Sequence, residues 1–264
     1  MKLGIDAYCS FGHISSSEEK FRLIKNAGFV ATSLFWGDED RHKQLELARK
    51  AGLEIDSIHA DFGNPNALWQ QGIDDEDYRD MLITSVKDCA NYDIPVVAIH
   101  LTGTDPTPPP SEIGLKRIAE LVEVAEQKNV KLAFENLWTF EHLDAVFEKF
   151  NSPNVGFCYD IGHENLNLHY DCLEKNGDRL FALHIQDNLA DGQDLHLLPF
   201  DGTINWPAKM QQLKQCQPVE YFMLEVCYSR FSPDEHKKRD IYGDLSLEEF
   251  LSLAHERAVK LLNM

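Results

Sequence analysis

The sequence predicts an α/β fold, a closed (β/α)8 TIM barrel occupying residues 1–264 as one domain. Three observations predict it. Eight short apolar runs alternate with longer amphipathic stretches, the pattern of buried parallel strands and their crossover helices. The length, 264 residues, matches the ~250 that eight strand–helix units need. Six successive runs end on His, Asp or Glu, and barrels carry their chemistry at the carboxyl ends of the strands.

In chain order the runs are 3–7, 29–36, 54–59, 95–100, 131–135, 155–160, 180–185 and 221–226. Most are rich in Val, Ile, Phe or Leu and are too short for buried helices. Helical patterns fill the gaps. Ser16-x-x-Glu19 reads as a capping box that opens the first helix. Tyr78, Met81, Leu82, Ser85, Val86 and Cys89 follow helical spacing in the third. Ile118, Leu121, Val122 and Ala125 do so in the fourth, which stops near Asn129. Ser246-x-x-Glu249 caps the last, with Phe250, Leu253, Ala254, Ala258 and Leu261 on one face. A doubly wound open sheet is the rival fold, but no Gly-x-Gly-x-x-Gly turn follows the first run. The polar loops 61–75, 102–110 and 188–206 each follow a run, which assigns them to the catalytic face of the barrel.

Asp and Glu total 44 against 25 Lys and Arg, a net charge of −19. Such a field repels polyanions, so neither nucleic acid nor a membrane surface is expected as a partner. No apolar run approaches the ~18 residues that span a bilayer. Residues 1–6 lack an apolar signal core, which makes a cytoplasmic protein the expectation. The six cysteines form no C-x-x-C pair and are expected to be reduced thiols. Cys158 and Cys227 lie in apolar runs, where a thiol packs as a small hydrophobe.

The ends of runs three to eight carry His59, His100, Glu135, Asp160, His184 and Glu225. His, Asp and Glu make up about a fifth of the chain, so six matches in succession stand well above chance. Closing the barrel gathers these ends around one axis. Carboxylates and imidazoles crowded there repel or stay unsatisfied unless a cation joins them. Glu135, Asp160, His184 and Glu225 are therefore the expected metal ligands. His59, His100, His163, Asp194 and His196 are candidate further members of the site. The metal expected is Mn, Zn, Co or Mg, with room for more than one ion. His13, His42, His142, His169, His236 and His255 are expected at the surface. Trp36 closes the second run, either stacking on a sugar face or plugging the barrel mouth.

These residues resemble the xylose-isomerase-like barrel superfamily, in particular its sugar phosphate isomerase/epimerase branch. The likeness covers nearly the whole chain. It is carried by Phe134-Glu135-Asn136, Asp160-x-Gly162-His163, His184-x-x-Asp187-Asn188, and Asp194-x-His196-Leu-x-Pro199 running on to Trp206, with Glu225 last. The resemblance implies one metal held by Glu135, Glu225, Asp160 and His184. It implies proton transfer by the two glutamates, and contact of His163 with substrate oxygens. Two departures concern substrate contacts. The Arg usual after the seventh-strand His is replaced by Asp187-Asn188-Leu189-Ala190, and Pro-Gly-x-Gly becomes Pro199-Phe200-Asp201-Gly202. All nine candidate ligands also look like the three-zinc set of endonuclease IV, a relative that the −19 charge opposes.

The expected function is a metal-dependent sugar isomerase or epimerase of carbohydrate metabolism. Its substrate is a small ketose or aldose, free or phosphorylated, and it acts through an ene-diolate. Glu135 and Glu225 move the proton and His163 steadies the oxyanion. A dehydroshikimate dehydratase-like lyase is the alternative and needs a cation for the substrate carboxylate, for which Arg230 and Arg41 are the candidates. An endonuclease IV-like phosphoesterase is the other. A homo-oligomer is compatible with all three.

Overall fold

A computed structural model describes residues 1–8, 16–72, 75–103, 106–167, 170–232, 237–240 and 242–264. Residues 75–76, 229–232 and 237–240 are described by their backbone alone. Eight parallel strands form the barrel: β1 Lys2–Ile5, β2 Ala31–Phe35, β3 Glu54–His59, β4 Val96–Ile99, β5 Lys131–Glu135, β6 Val155–Asp160, β7 Leu180–His184 and β8 Tyr221–Leu224. Sequential strands pair in order from β1 to β7, and β8 pairs with β1. The β7–β8 seam is closed near the top by Ile185 N–H to Met223 O and Glu225 N–H to Ile185 O, at 2.9 and 3.0 Å. The closed barrel thus replaces the open-sheet rival.

Helices α1 Ser17–Asn26, α2 Arg41–Lys50, α3 Asp75–Asn91, α4 Glu112–Lys128 and α5 Glu141–Lys149 follow the first five strands. After β6 come two short ones, α6 Ile161–Leu166 and α7 Cys172–Asn176. Helix α8 Trp206–Leu213 follows β7, and α9 Leu247–Leu262 closes the chain. Their ends are where the capping chemistry lies. Ser16 Oγ accepts the Glu19 N–H at 3.2 Å, and Ser246 with Glu249 makes a reciprocal capping box. Asn129 ends α4 at φ +54°, the left-handed cap that Asn tolerates better than most residues.

The main apolar core lies between strands and helices, where Phe21, Phe29, Phe157, Phe222 and Phe250 are fully buried. Inside the barrel the filling is small: Val96, Ala98, Ala133, Cys158 and Ala182 form a separate cluster. Side chains two apart share a strand face. Ala98, Ala133, Cys158 and Ala182 therefore floor the layer that carries His100, Glu135, Asp160 and His184. Gly4 leaves room for Met223, whose Cε would meet an added Cβ at 2.5 Å.

Several expectations are corrected. Trp36 is buried outside the barrel mouth, donating its Nε1–H to Asp88 at 2.9 Å and packing on His42 and Tyr92. It neither plugs the mouth nor faces a ligand. His142 is buried rather than superficial, bonding the Pro108 carbonyl at 2.8 Å. His255 is partly buried, edge-on to Phe29. Loop 61–75 contains a 3-10 turn, Pro65–Trp69. Buried Arg117 holds it by donating to the carbonyls of Ala67, Leu68 and Gln70. A hairpin, β9 Ser229–Ser232 and β10 Lys237–Asp240, stands between β8 and α9. Cys9, His13, His169 and His236 lie outside the described residues. Among the described residues no helix is long and apolar enough to cross a membrane.

Candidate metal centre and active site

All nine sequence-predicted residues meet at the carboxyl end of the barrel. Their ligand-type atoms fall into adjoining groups, each within 4.8 Å: Glu135–Asp160–His184–Glu225, His59–His100–Glu135 and His163–Asp194–His196. Glu135 belongs to the first two. It also joins Cys158 and His184 in a fourth, smaller group.

The strands supply the first group directly. His184 Nδ1 lies 3.3 Å from Glu135 Oε2 and 3.1 Å from Glu225 Oε2. All three atoms are buried without a well-formed hydrogen bond. Leaving a buried polar atom unpaired costs about 1–3 kcal/mol. Three such atoms pointing at one another are what a divalent cation would satisfy, and the carboxylate–imidazole set suits one. Asp160 completes the group from the N-cap of α6, with Oδ1 accepting the His163 N–H at 2.7 Å. Asn136 locks the neighbouring strand ends, donating to Asp160 O at 2.7 Å and accepting Asp160 N–H at 2.8 Å.

Three of the four histidines in the other groups are oriented by backbone. His59 Nδ1 donates to Ala60 O, His163 Nδ1 to Asn136 O and His196 Nδ1 to Glu225 O, at 2.8, 3.0 and 2.9 Å. Each bond leaves Nε2 facing the cluster, the second-shell arrangement typical of metal-binding histidine. His59 Nε2 and His100 Nε2 then lie 3.3 and 3.2 Å from Glu135 Oε2. His196 Nε2 lies 2.9 Å from Asp194 Oδ2, and His163 Nε2 3.6 Å from it.

Electrostatics follow from this crowding. Burial alone would raise Glu135, yet His184 and His100 hold it well below the usual carboxylate range. Burial also opposes protonation of His184, but Cys158, Glu225 and Glu135 lift it well above an ordinary imidazole. His163 and His196 are lifted against burial as well, by Asp160 and Asp194 for His163 and by Asp194 for His196. Burial pushes Asp160 up to about 7, opposed by His163 and reinforced by Glu225 and Glu135. Against burial, His184 and His196 keep Glu225 down at about 2.

A cavity of about 370 Å³ opens on His100, His163 and Asp194. Phe62 and Trp138 form its walls, with Asn64, Asn66 and Thr102 among its polar positions. Phe62 stacks on His100 at 5.0 Å and Trp138 lies 5.4 Å from His163. Both aromatics are exposed, at 44% and 40%, an unusual outlay of apolar area at a polar site. No Arg or Lys lines this cavity among the described residues. Arg41 instead donates to Asp38 O and sits over Trp36, and the Arg230 side chain lies outside the described residues. Tyr8 adds a residue that the sequence did not announce, donating its hydroxyl to Glu225 Oε1 at 3.0 Å. Phe62, Trp138 and Gln186 were also missed. The signal was present for two of them: Trp138 stands three residues past Glu135, and Gln186 two past His184.

The chain has relatives among proteins of known sequence and known structure. An uncharacterized protein, y4fM, of Sinorhizobium fredii is 29% identical over 280 residues, covering 89% of this chain and 90% of that one. Among solved structures, a D-psicose 3-epimerase with D-tagatose from Clostridium cellulolyticum H10 superposes with a TM-score of 0.76 at 16% identity, 99% of each chain being covered. The IOLI protein with a bound zinc atom superposes with a TM-score of 0.74 at 18% identity, over 100% of this chain and 98% of that one. At such identities the structures establish the fold alone. The family model for the xylose isomerase-like TIM barrel matches residues 21–244, and with the closed barrel of eight parallel strands already described, the chain belongs to that family.

Proposed function

We propose that the protein is a divalent-metal-dependent isomerase or epimerase of a small ketose or aldose, free or phosphorylated, working through an ene-diolate. The observation that carries this reading is the placement of Glu135 and Glu225. Both carboxylates face the same His184 Nδ1, at 3.3 and 3.1 Å, in a buried donor set beside an open cavity. A metal bound there supplies Lewis-acid stabilisation of negative charge on substrate oxygens. Glu135, Asp160, His184 and Glu225 would hold it. Mn, Zn, Co and Mg are the candidates, and a relative of the same fold carries zinc. The two adjoining groups, with His59, His100, His163, Asp194 and His196, give room for further ions.

The chain's own groups divide the proton work. One glutamate takes the proton beside the carbonyl and the other returns it. Return to the opposite face of the same carbon is epimerisation; return to the neighbouring carbon is isomerisation. Tyr8 donates its hydroxyl to Glu225 Oε1 and so holds the carboxylate with Oε2 turned to His184. His163, whose Nδ1 is tied to the backbone, presents Nε2 to an oxygen that gains charge. Phe62 and Trp138 offer flat faces to the C–H side of a sugar.

The test is solvent exchange. The metal-loaded protein is incubated in deuterated water with a ketose panel that includes D-tagatose, D-psicose and D-fructose. Deuterium entering the C–H beside the carbonyl, with formation of the epimer or aldose, is the expected result. A protein that retains its metal yet exchanges no ketose proton would remove the reading. A multinuclear phosphoesterase has the three adjoining donor groups in its favour, and phosphate release from a phosphodiester by the same preparation would turn the assignment that way.

A further inference from the structure

Gln186 is fully buried between two of the donor groups. Its Nε2 donates to both oxygens of Asp160 at 3.3 Å and to Asp194 Oδ1 at 2.9 Å. Its Oε1 accepts the His196 backbone N–H at 3.1 Å. Asp160 belongs to the strand-borne group. Asp194 and His196 belong to the other, carried on the loop after β7. One neutral amide therefore spans both.

The chemistry at this position is restrictive. Two carboxylates brought to one point repel unless N–H donors stand between them. Gln offers two donors and an acceptor at this reach with no charge. Glu would add a third negative group, and Met would satisfy none of the partners. Room for the amide comes from Gly162, where an added Cβ would lie 2.2 Å from the Gln186 side-chain carbonyl carbon. The bond to His196 also holds a strained residue. His196 has φ +49°, a conformation that costs a non-glycine residue about 1–2 kcal/mol. Strain of that kind persists where surrounding bonds fix it.

We propose that Gln186 is a positioning residue that ties the loop ligands Asp194 and His196 to Asp160, so that the His163–Asp194–His196 group is preformed. The cation-binding part of this rests on the metal-dependent reading above; the tie itself does not. With the amide in place, Asp194 Oδ2 and His196 Nε2 are held 2.9 Å apart facing His163. Without it, both ligands depend on a loop anchored elsewhere.

The experiment uses the full chain with Gln186→Met, Gln186→Glu and Gly162→Ala, the last leaving Gln186 present but pushing its amide aside. Metal-free proteins are compared by hydrogen exchange over residues 194–197, then titrated with Zn2+ and Co2+ to give ions per chain and dissociation constants. In Gln186→Met the His196 amide exchanges faster, and the weaker-bound ion loses about 10–100-fold in affinity, the usual effect of removing an outer-shell partner. The strand-borne ion loses less. Gly162→Ala gives the same pattern, and Gln186→Glu fails to restore it. Unchanged exchange in Gln186→Met and Gly162→Ala overturns the tie, however many ions the wild type holds. Full restoration of the cation affinity by Gln186→Glu, which keeps an acceptor for the His196 N–H but has no N–H donors, overturns it too, because those donors would then be dispensable. A wild type that binds no cation but shows the exchange difference overturns the metal reading and leaves the tie standing.

Discussion

At the scale of single residues, type was legible in the sequence and direction was not. The strand-end His, Asp and Glu stood out because a run of six departs from composition. Which ring nitrogen of each histidine faces the cluster depends on backbone carbonyls of residues far away, such as Glu225 O for His196. Nor does residue type tell which of two neighbouring aromatics on a strand faces inward. Adjacent side chains on a strand point to opposite faces, and Phe35 and Trp36 are both aromatic. The structure gives the inner face to Phe35, which lies 5.1 Å from Phe62 and 6.4 Å from His59. Glu135 invites the sharpest test. Its Oε2 is the point shared by His59, His100 and His184, at 3.2–3.3 Å. Glu135→Gln is expected to lower kcat about 10²–10⁴-fold, the range for a lost general base. Steady-state kinetics and metal content measured on the same preparation check this, and retained turnover would remove Glu135 as a base.

At the scale of elements, the strands and long helices were legible because burial imposes its periodicity on the sequence. The loops were less so. The 61–75 segment read as irregular, yet its 3-10 turn exists because Arg117 on α4 reaches three of its carbonyls, a contact with no local signature. The loop from 188 to 206 has a comparable anchor. Buried Asp187 accepts Asn188 N–H and Ile204 N–H on Oδ1, and Phe200 N–H and Trp206 Nε1–H on Oδ2. The same loop carries Asp194 and His196. Asp187→Asn keeps the shape but turns an NH2 group toward N–H donors. A loss of about 1–3 kcal/mol is expected, the cost of a buried donor left unpaired. Denaturant unfolding measures it, with faster amide exchange over residues 197–204. An unchanged midpoint and unchanged exchange would show that the loop is held by other contacts.

At the scale of the whole molecule, charge and closure meet in the same place. The −19 total includes Glu135, Asp160, Asp194 and Glu225, all partly or fully buried at the barrel mouth. In the metal-free protein their compensation is protonic. His163, His184 and His196 are raised, so the stability they contribute is present below the imidazole value of the unfolded chain and lost as pH rises through the folded value. Glu135 and Asp194 are lowered, so theirs is present above the unfolded carboxylate value and lost as pH falls through the folded value. On the metal-dependent reading proposed above, a bound cation would replace the imidazolium protons. Zn2+ binding near pH 7 is therefore expected to release protons and to tighten as pH rises. Calorimetry in buffers of different ionisation enthalpy reads this directly, and a binding enthalpy independent of buffer would contradict the ionic pairing. The sequence by itself determined the barrel, because eight buried strands and their crossover helices impress hydrophobic periodicity on consecutive residues. It also determined which residue types end the strands. Only the tertiary structure decided which atoms of those residues face one another, that Gln186 and Tyr8 join them, and that Trp36 does not. Tyr8 and Glu225 are 217 residues apart and Gln186 and Asp160 are 26 apart, and it is the pairing of β1 with β8 and of β6 with β7 that brings each pair within bonding distance.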